Sequence, residues 1–559
     1  MSLFVGRLVQ LQGMESGYYR KLANQQQTQT VPVQAPRGEI TAADGSVLAM
    51  TLETYKIIAD PVQIPQAKQQ QEANQLAPLV GLTAAQVLAL FQHPSSPQYV
   101  VLAPAVSAQS GAAISQLDLD GITEEQSFTR SYPDGSVTAN VVGFTRNPSG
   151  TLLTGEAGVE SAYNSLLTGR PGTETEQMGD VNGQLIPLSV SSETSAVNGS
   201  SVRLTLYPAL QYAAQQACQQ EVAKAKARNC SVVIMQPQTG RILAMAQWPT
   251  YNPSDIGSIN STTDIPLQNE FEPGSTAKVI TAAAAFEHGG QTPMSAYKIP
   301  YSITLGGATI HDAEWSPGER FTIAGIIAHS SNVGMSQVAE HITPQVQYDY
   351  LKAFGLGQPT GLGLPEVDGL LHPLSQYWDS LPYTLSFGQG VDVNAVQMAS
   401  VYATIANGGV RVQPTLIEGR TNANGTYTPA APSPSRRVIQ PQTAHELMQI
   451  LQQVPAFDAD GGQPWGEIKG YAIAAKTGTS QESGPNCSLC EYGASYIGIA
   501  PGNDAQLVVA VNVQDPRKGG YYGDIVAGPV FYQVMTTALS TLKIPPDGAV
   551  APNIRLTAP

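Results

Sequence analysis

Three short patterns hold most of the chemistry this sequence offers: Ser275-Thr276-Ala277-Lys278, Ser330-Ser331-Asn332 and Lys476-Thr477-Gly478, in that order. A serine hydroxyl is a poor nucleophile until a base takes its proton, and three residues on along a helix a lysine lies on the same face. Lys278 can therefore reach Ser275. An ammonium is no base, so Lys278 must be held neutral, which burial against the apolar run 279–286 and a second cation such as Lys476 both favour. Ser330 brings a hydroxyl able to relay a proton to a leaving amine, and Asn332 an amide that donates and accepts. Lys476-Thr477-Gly478-Thr479 follows Tyr471-Ala-Ile-Ala-Ala475 and reads as an edge strand. Gly478 lets a ligand backbone come close, so that edge suits an extended peptide.

Each pattern alone is weak. Ser-x-x-Lys recurs at 295–298 and 540–543, and Ser-x-Asn at 258–260, whereas Lys-Thr-Gly occurs once. Only the Ser275 copy follows Glu272-Pro273-Gly274, a helix-start signal, and precedes an apolar run that would bury a helix. Taken singly, Ser275 and Lys278 would be a helix cap and a solvated lysine, and Ser330 with Asn332 a turn cluster. His311 with Asp312, or His329, could be drawn as a catalytic pair. Seven scattered histidines without metal-ligand spacing argue instead for core or surface roles, and no metal or cofactor is expected. Gly388-Gln-Gly390 lacks the third glycine of a nucleotide loop and reads as a tight turn near the active-site strand.

The triple resembles that of penicillin-binding proteins and class A β-lactamases. Phe271-Glu-Pro-Gly-Ser-Thr-Ala-Lys278, His329-Ser-Ser-Asn-Val-Gly334, Phe387-Gly-Gln-Gly390 and Tyr521-Tyr-Gly-Asp524 with Val526-Ala-Gly-Pro-Val-Phe531 resemble the transpeptidase domain of class B penicillin-binding proteins. Arg37-Gly-Glu-Ile40 with Asp44-Gly45, Arg130-Ser-Tyr-Pro133 with Val142-Gly143, and Gly158-Val-Glu160 resemble that class's N-terminal non-catalytic module. Nearly the whole chain is covered. The pedestal departs from the family where the usual Asp-Arg is Ala42-Ala43, which removes a charged pair from its anchoring contacts.

The resemblance implies a multi-domain α/β fold. Its C-terminal serine transpeptidase/β-lactamase-like domain would have a central antiparallel sheet and a helical subdomain, beside an elongated mixed α+β N-terminal pedestal. The expected divisions are a juxtamembrane remnant at 1–23, a pedestal or dimerisation-type module at 24–200, the transpeptidase domain at 201–545 and a tail at 546–559. By the same resemblance Ser275 attacks the carbonyl between the last two D-alanines of a peptidoglycan stem peptide, with Lys278 and Ser330 moving protons. Backbone N–H groups of Ser275 and Thr479 form the oxyanion hole. Asn332, Lys476, Thr477, Gly478 and Thr479 bind substrate, and β-lactams acylate Ser275. No glycosyltransferase module is found upstream, which implies a separate glycan-polymerising membrane glycosyltransferase as partner, with other cell-division proteins. Arg7-Leu-Val-Gln-Leu-Gln12 resembles the stretch just outside the single N-terminal membrane helix of class B enzymes. The chain is thus expected to have lost that anchor, with catalysis outside the bacterial cytoplasmic membrane. That stretch and the pedestal motifs resemble the cell-division branch.

Two rivals stand beside this reading: a DD-carboxypeptidase or β-lactamase in which water takes the acyl group, and a β-lactam receptor or division scaffold without turnover. Glu366 lies 36 residues after Ser330, where a class A β-lactamase would carry its deacylating glutamate. Leu364-Pro-Glu-Val-Asp368 lacks the following Leu-Asn, so Glu366 reads as structural.

Composition fits. With 42% hydrophobic residues in 559 there is ample core, and with 13% charged residues at a formal charge of −15 nothing favours nucleic acid as a partner. The four cysteines fall as Cys218 with Cys230 and Cys487 with Cys490; in an exported protein two local disulfides are possible, a zinc site being the competing reading. Patterning predicts a helix at 208–228, hairpins at 231–235/242–247 and 494–499/506–513, and an apolar helix at 526–542. In the pedestal it predicts strands at 55–59 and 137–144 and helix-capable runs over 65–90.

Overall fold

The computed structural model of the protein describes residues 10, 15, 28–147, 152–177, 192–313, 318–484, 487–548 and 550–559. The stretch expected beside a membrane at 1–23 lies outside these residues except at Gln10 and Glu15. Among the described residues no helix is long and apolar enough to cross a membrane.

The N-terminal pedestal is built on one long strand. β1 (Ile40–Thr41) turns through Asp44-Gly45 into β2 (Val47–Ala59), and Gly45 takes φ +86°, which costs glycine nothing. α1 (Gln69–Val80) and α2 (Ala84–Gln92) follow, the second opened by a capping box between Thr83 and Gln86. Their Leu76, Val87 and Phe91 bury against a sheet in which β2 is flanked antiparallel by β3 (Val100–Ser107) and β4 (Ile122–Ser131).

The strand expected at 137–144 is instead a helical turn, α3 (Ala139–Val142). The β-branched valines favour a strand, but residues 138–145 are buried without alternation, and the pleat's two-sided pattern is missing. Gly143 ends the turn at φ +80°, where a Cβ would lie 1.8 Å from the Ala157 carbonyl oxygen.

Three pedestal motifs far apart in sequence meet in one buried cluster. Arg37 Nε donates to Glu160 Oε2 at 2.6 Å, and Arg130 Nε donates to Glu160 Oε1 at 2.7 Å. Arg37 also reaches Asn164 and Thr168, and Arg130 reaches Thr51 and the Gly38 carbonyl. At the Ala42-Ala43 position Ala42 is buried and Ala43 N donates to Leu206 O at 2.9 Å.

β5 (Ser201–Leu204) leads into the second part of the chain. α4 (Pro208–Ala225) opens on a proline, which suits the first turn of a helix, and stops at Lys226 in a left-handed conformation. The chain then forms β6 (Asn229–Met235), β7 (Ile242–Trp248), α5 (Lys278–His288), β8 (Ala296–Lys298), β9 (Arg320–Thr322), α6 (Ile323–Ala328), α7 (Asn332–Ala339) and α8 (Ala395–Ala406). After these come β10 (Ile417–Thr421), β11 (Tyr427–Pro429), α9 (Val454–Asp460), β12 (Ala474–Gly484), β13 (Cys487–Ala500), β14 (Leu507–Gln514) and α10 (Gly528–Thr541).

The central sheet runs β7-β6-β14-β13-β12, antiparallel throughout. Successive side chains point to opposite faces, and both faces are covered. Val232, Ile234, Val509 and Val511 pack with α4 and α10, while Val233, Met235, Val508 and Ala510 pack with α5 and α8. That is why β14 is buried along its whole length. A disulfide joins Cys218 on α4 to Cys230 on β6, with Cα atoms 5.3 Å apart. Cys490 is disulfide-bonded too, and the Cys487 side chain lies outside the described residues.

A second sheet crosses from one part of the chain to the other. Its order is β11-β10-β5-β1-β2-β3, with β5 parallel to β1 and antiparallel to β10.

Candidate active site

Ser275 sits on a tight 3-10 turn, Gly274–Ala277, that runs straight into α5, so Lys278 begins the helix whose apolar face is buried. The turn is pressed between two backbones. A Cβ added at Gly274, itself at φ +53°, would lie 2.9 Å from Thr479 O and 3.5 Å from Thr479 N. On its other side Gly388 is in contact: Gly274 N donates to Gly388 O at 3.0 Å, and a Cβ at Gly388 would lie 2.2 Å from Gly274 O. The Gly388-Gln-Gly390 turn thus supports the nucleophile's turn, and Gly390 N donates to Glu272 Oε1 at 2.8 Å. From α8, Tyr402 Oη donates to Thr276 O at 2.9 Å.

β12 is the edge strand of the central sheet, with Thr477 opposite Tyr496 and Thr479 opposite Ala494. Gly478 has no room for a side chain, since a Cβ would meet Ser495 Oγ at 2.4 Å and Pro273 O at 2.8 Å. Thr477 and Thr479 are half-buried along the edge, and Thr479 Oγ1 accepts from Gly523 N at 3.1 Å. The turn that bears Ser275 therefore lies flat against the strand that bears Thr479. Their two N–H groups belong to adjoining backbones, the requirement for a shared oxyanion site.

Both lysines are fully buried and converge on one hydroxyl. Lys278 Nζ donates to the Ser330 carbonyl and, at 3.4 Å, to Ser330 Oγ; Lys476 Nζ donates to the same Oγ at 3.0 Å and to Thr477 Oγ1 at 3.3 Å. Burial first, and the Lys476 charge second, pull the Lys278 pKa well below its usual 10.5, against an upward pull from Asp312. Burial lowers Lys476 as well, opposed by the carboxylates of Asp458 on α9 and Asp524. Asp458 is itself raised by burial, and Tyr496 Oη donates to it at 3.3 Å.

Ser330 occupies φ +58°, a left-handed conformation unusual for a side chain larger than hydrogen. Its turn is fastened by Asp312. Asp312 Oδ2 accepts from Ser331 Oγ at 2.6 Å, and Oδ1 accepts from Asn332 N at 2.6 Å and Val333 N at 2.9 Å. A buried carboxylate thus closes the N-terminus of α7, where the free N–H groups and helix dipole favour it. Asn332 is half-buried and Nδ2 donates to His311 O at 3.4 Å. Sequence reasoning weighed Asp312 only as half of a histidine pair and set it aside. Its partners lie nineteen or more residues downstream, beyond the reach of any local capping pattern. His311 contributes a carbonyl, and the His329 ring stacks on Phe321 at 4.3 Å and against Phe457 at 4.4 Å.

Glu366 stands apart. Its carboxylate accepts from Thr360 N at 2.8 Å, Thr360 Oγ1 at 2.6 Å and Gly361 N at 3.2 Å, closing a turn.

Residues 230–536 match the family model for the penicillin binding protein transpeptidase domain, and residues 32–204 match that for the penicillin-binding protein dimerisation domain. The chain belongs to the class B penicillin-binding proteins. It is 34% identical to penicillin-binding protein PbpB of Mycolicibacterium smegmatis over 89% of this chain and 78% of the relative. It is 31% identical to peptidoglycan D,D-transpeptidase FtsI of Escherichia coli over 98% of this chain and 90% of the relative. The crystal structure of penicillin binding protein 3 from Mycobacterium tuberculosis, complexed with aztreonam, superimposes with a TM-score of 0.73 at 29% identity. That match covers 95% of this chain and all of the other. As a class B penicillin-binding protein of the cell-division type, the protein is a serine peptidoglycan D,D-transpeptidase.

Proposed function

We propose that Ser275 is the nucleophile of this transpeptidase, Lys278 its base and Ser330 its proton relay. The observation that carries the assignment is the convergence of two fully buried lysines on the Ser330 hydroxyl, beside the turn that holds Ser275. Burial and the Lys476 charge favour the neutral amine of Lys278, the form that can take the Ser275 proton as Oγ adds to the carbonyl between the last two D-alanines. The oxyanion accepts from Ser275 N–H and Thr479 N–H. The C–N bond then breaks, the leaving D-alanine amine takes its proton through Ser330 Oγ, and Lys278 returns to neutrality. An amine of a neighbouring stem attacks the Ser275 ester, gives up a proton by the reverse path, and leaves a cross-link and free serine. Asn332 holds the peptide amide, Thr477 and Thr479 the terminal carboxylate, Lys476 adds positive charge, and Gly478 lets the peptide lie against β12. β-Lactams acylate the same serine.

The same proposal includes a septal setting, which the kinship supports, with a glycan-polymerising glycosyltransferase and other cell-division proteins as partners and a membrane anchor holding catalysis outside the cytoplasmic membrane. The buried Cys218–Cys230 disulfide supports an oxidising compartment. Glu366, engaged in its own turn, is not offered as the deacylating glutamate of a class A β-lactamase, which weakens that form of the hydrolase rival.

The test is labelling by a fluorescent penicillin, followed over hours, for the protein and Ser275→Ala. A long-lived adduct only with Ser275 is expected, and a stem peptide with an acceptor amine should yield cross-linked product. Hydrolysed stem peptide in place of cross-linked product would favour the carboxypeptidase reading. Complementation of cell division by Ser275→Ala would favour a scaffold.

A further inference from the structure

The segment 550–559, which the sequence offers only as a tail, packs against residues 320–325, shortly ahead of the Ser330 motif. It runs antiparallel beside β9 through an isolated bridge: Thr322 N donates to Leu556 O at 2.9 Å, Ala558 N donates to Arg320 O at 2.8 Å, and Phe321 is bridged to Thr557. Its side chains alternate as in a strand, with Ile554 and Leu556 packed on the core and Asn553, Arg555 and Thr557 exposed. Thr322 is the pivot. Its Oγ1 donates to Arg555 O at 2.8 Å and accepts from Gly325 N at 3.1 Å, capping α6. Gly325 leaves no space between them, for a Cβ there would lie 2.0 Å from Leu556 O. α6 ends two residues before Ser330.

The same segment also ties down α9. Gln453, just ahead of that helix, donates Nε2 to Pro552 O at 2.6 Å, and Phe457 within it packs on His329, the neighbour of Ser330. One segment thus makes contact with both α6 and the start of α9, the two elements next to the Ser330 turn. We propose that residues 550–559 are a positioning strap that holds Ser330 in its strained conformation at the two lysines. The inference rests on Ser330 being part of the acyl-transfer site. The strap touches no substrate; it acts through α6 and His329.

The strap is tested by comparing the protein with a form lacking 550–559 and with Leu556→Ala, which removes one half-buried side chain and keeps the test open if the deletion does not fold. Penicillin acylation rate constants and backbone hydrogen exchange are measured on all three. The expected result is an acylation rate about ten- to a hundredfold lower in the deletion and a smaller loss in Leu556→Ala. Exchange should rise at 323–333 and stay unchanged in β12. Addition of a peptide of residues 550–559 should restore the rate saturably. Unchanged acylation and exchange in both variants would overturn the strap, as would exchange rising equally in β12, which would make the segment a general support of the domain. If the unmodified protein is not acylated, the site assignment fails, and the exchange comparison still decides whether the segment holds α6.

Discussion

Glu160 in the pedestal and Ser330 in the transpeptidase domain each draw two buried cations to one point, and the two clusters behave in opposite ways. At Glu160 the centre is a carboxylate: each arginine gives it a charge-assisted bond, and the remaining guanidinium N–H groups that the structure describes are spent on side-chain and carbonyl oxygens. At Ser330 the centre is a neutral hydroxyl, and no described carboxylate is in ion-pair contact with either lysine. Burial is alike; the counter-charge differs. With a carboxylate at the centre the charges stay put and lock three distant motifs together. Without one, burial makes the ammonium the unstable form and leaves a base. Buried charge is thus a fastener in one place and a reagent in the other.

Glu160→Gln should produce the largest stability effect, because it strands two buried guanidinium groups. A loss of about 3–5 kcal/mol is expected in urea unfolding of the pedestal, with penicillin acylation of the folded protein little changed. A neutral result would break the comparison. Lys476→Met takes away the second-largest cause of the low Lys278 pKa. That pKa should rise, so the acid limb of acylation moves to higher pH, and the rate at neutral pH should fall about a hundredfold. An unmoved limb would show that the two lysines do not sense each other.

An intermediate case sharpens the contrast. Asp264 is buried with only a neutral partner, Asn140 Nδ2 at 3.0 Å, and burial raises its pKa to about 7. Between about pH 4 and 7 the folded state keeps a proton that the unfolded state has released, so stability falls as pH rises through that window. Asp264→Asn should abolish this slope, stabilising the protein at pH 8 relative to the parent by about 1–3 kcal/mol in thermal or urea unfolding. The smallest effect is expected from Asp312→Asn, which keeps an acceptor for the backbone N–H groups of α7 but removes the charge that raises the Lys278 pKa. The acid limb should shift to lower pH, with acylation at neutral pH reduced about tenfold or less.

How far the sequence speaks follows from how local its signals are. The edge strand at Lys476, the two hairpins and the helices around them are legible because apolar patterning and turn residues lie within a few positions of each other. The three lysine and serine motifs could be put in one site because their chemistry has a meaning only together. Asp312 could not, since nothing near it marks a carboxylate that caps a helix later in the chain. The run 137–144 misled because a segment buried on all sides carries no period to distinguish strand from helix. Residues 550–559 looked like a loose end because their partners, β9 and Gln453, are remote and mostly backbone.

The sheet β11-β10-β5-β1-β2-β3 bears on how this molecule could be divided. The two family matches, 32–204 and 230–536, invite a cut between them, yet β5 is hydrogen-bonded to β1 on one side and to β10 on the other. Severing the chain after Leu204 would leave β10 with an open edge, ready to recruit a second molecule. A catalytic fragment made for crystallography or inhibitor screening would need to begin early enough to carry β5, or to supply a substitute strand.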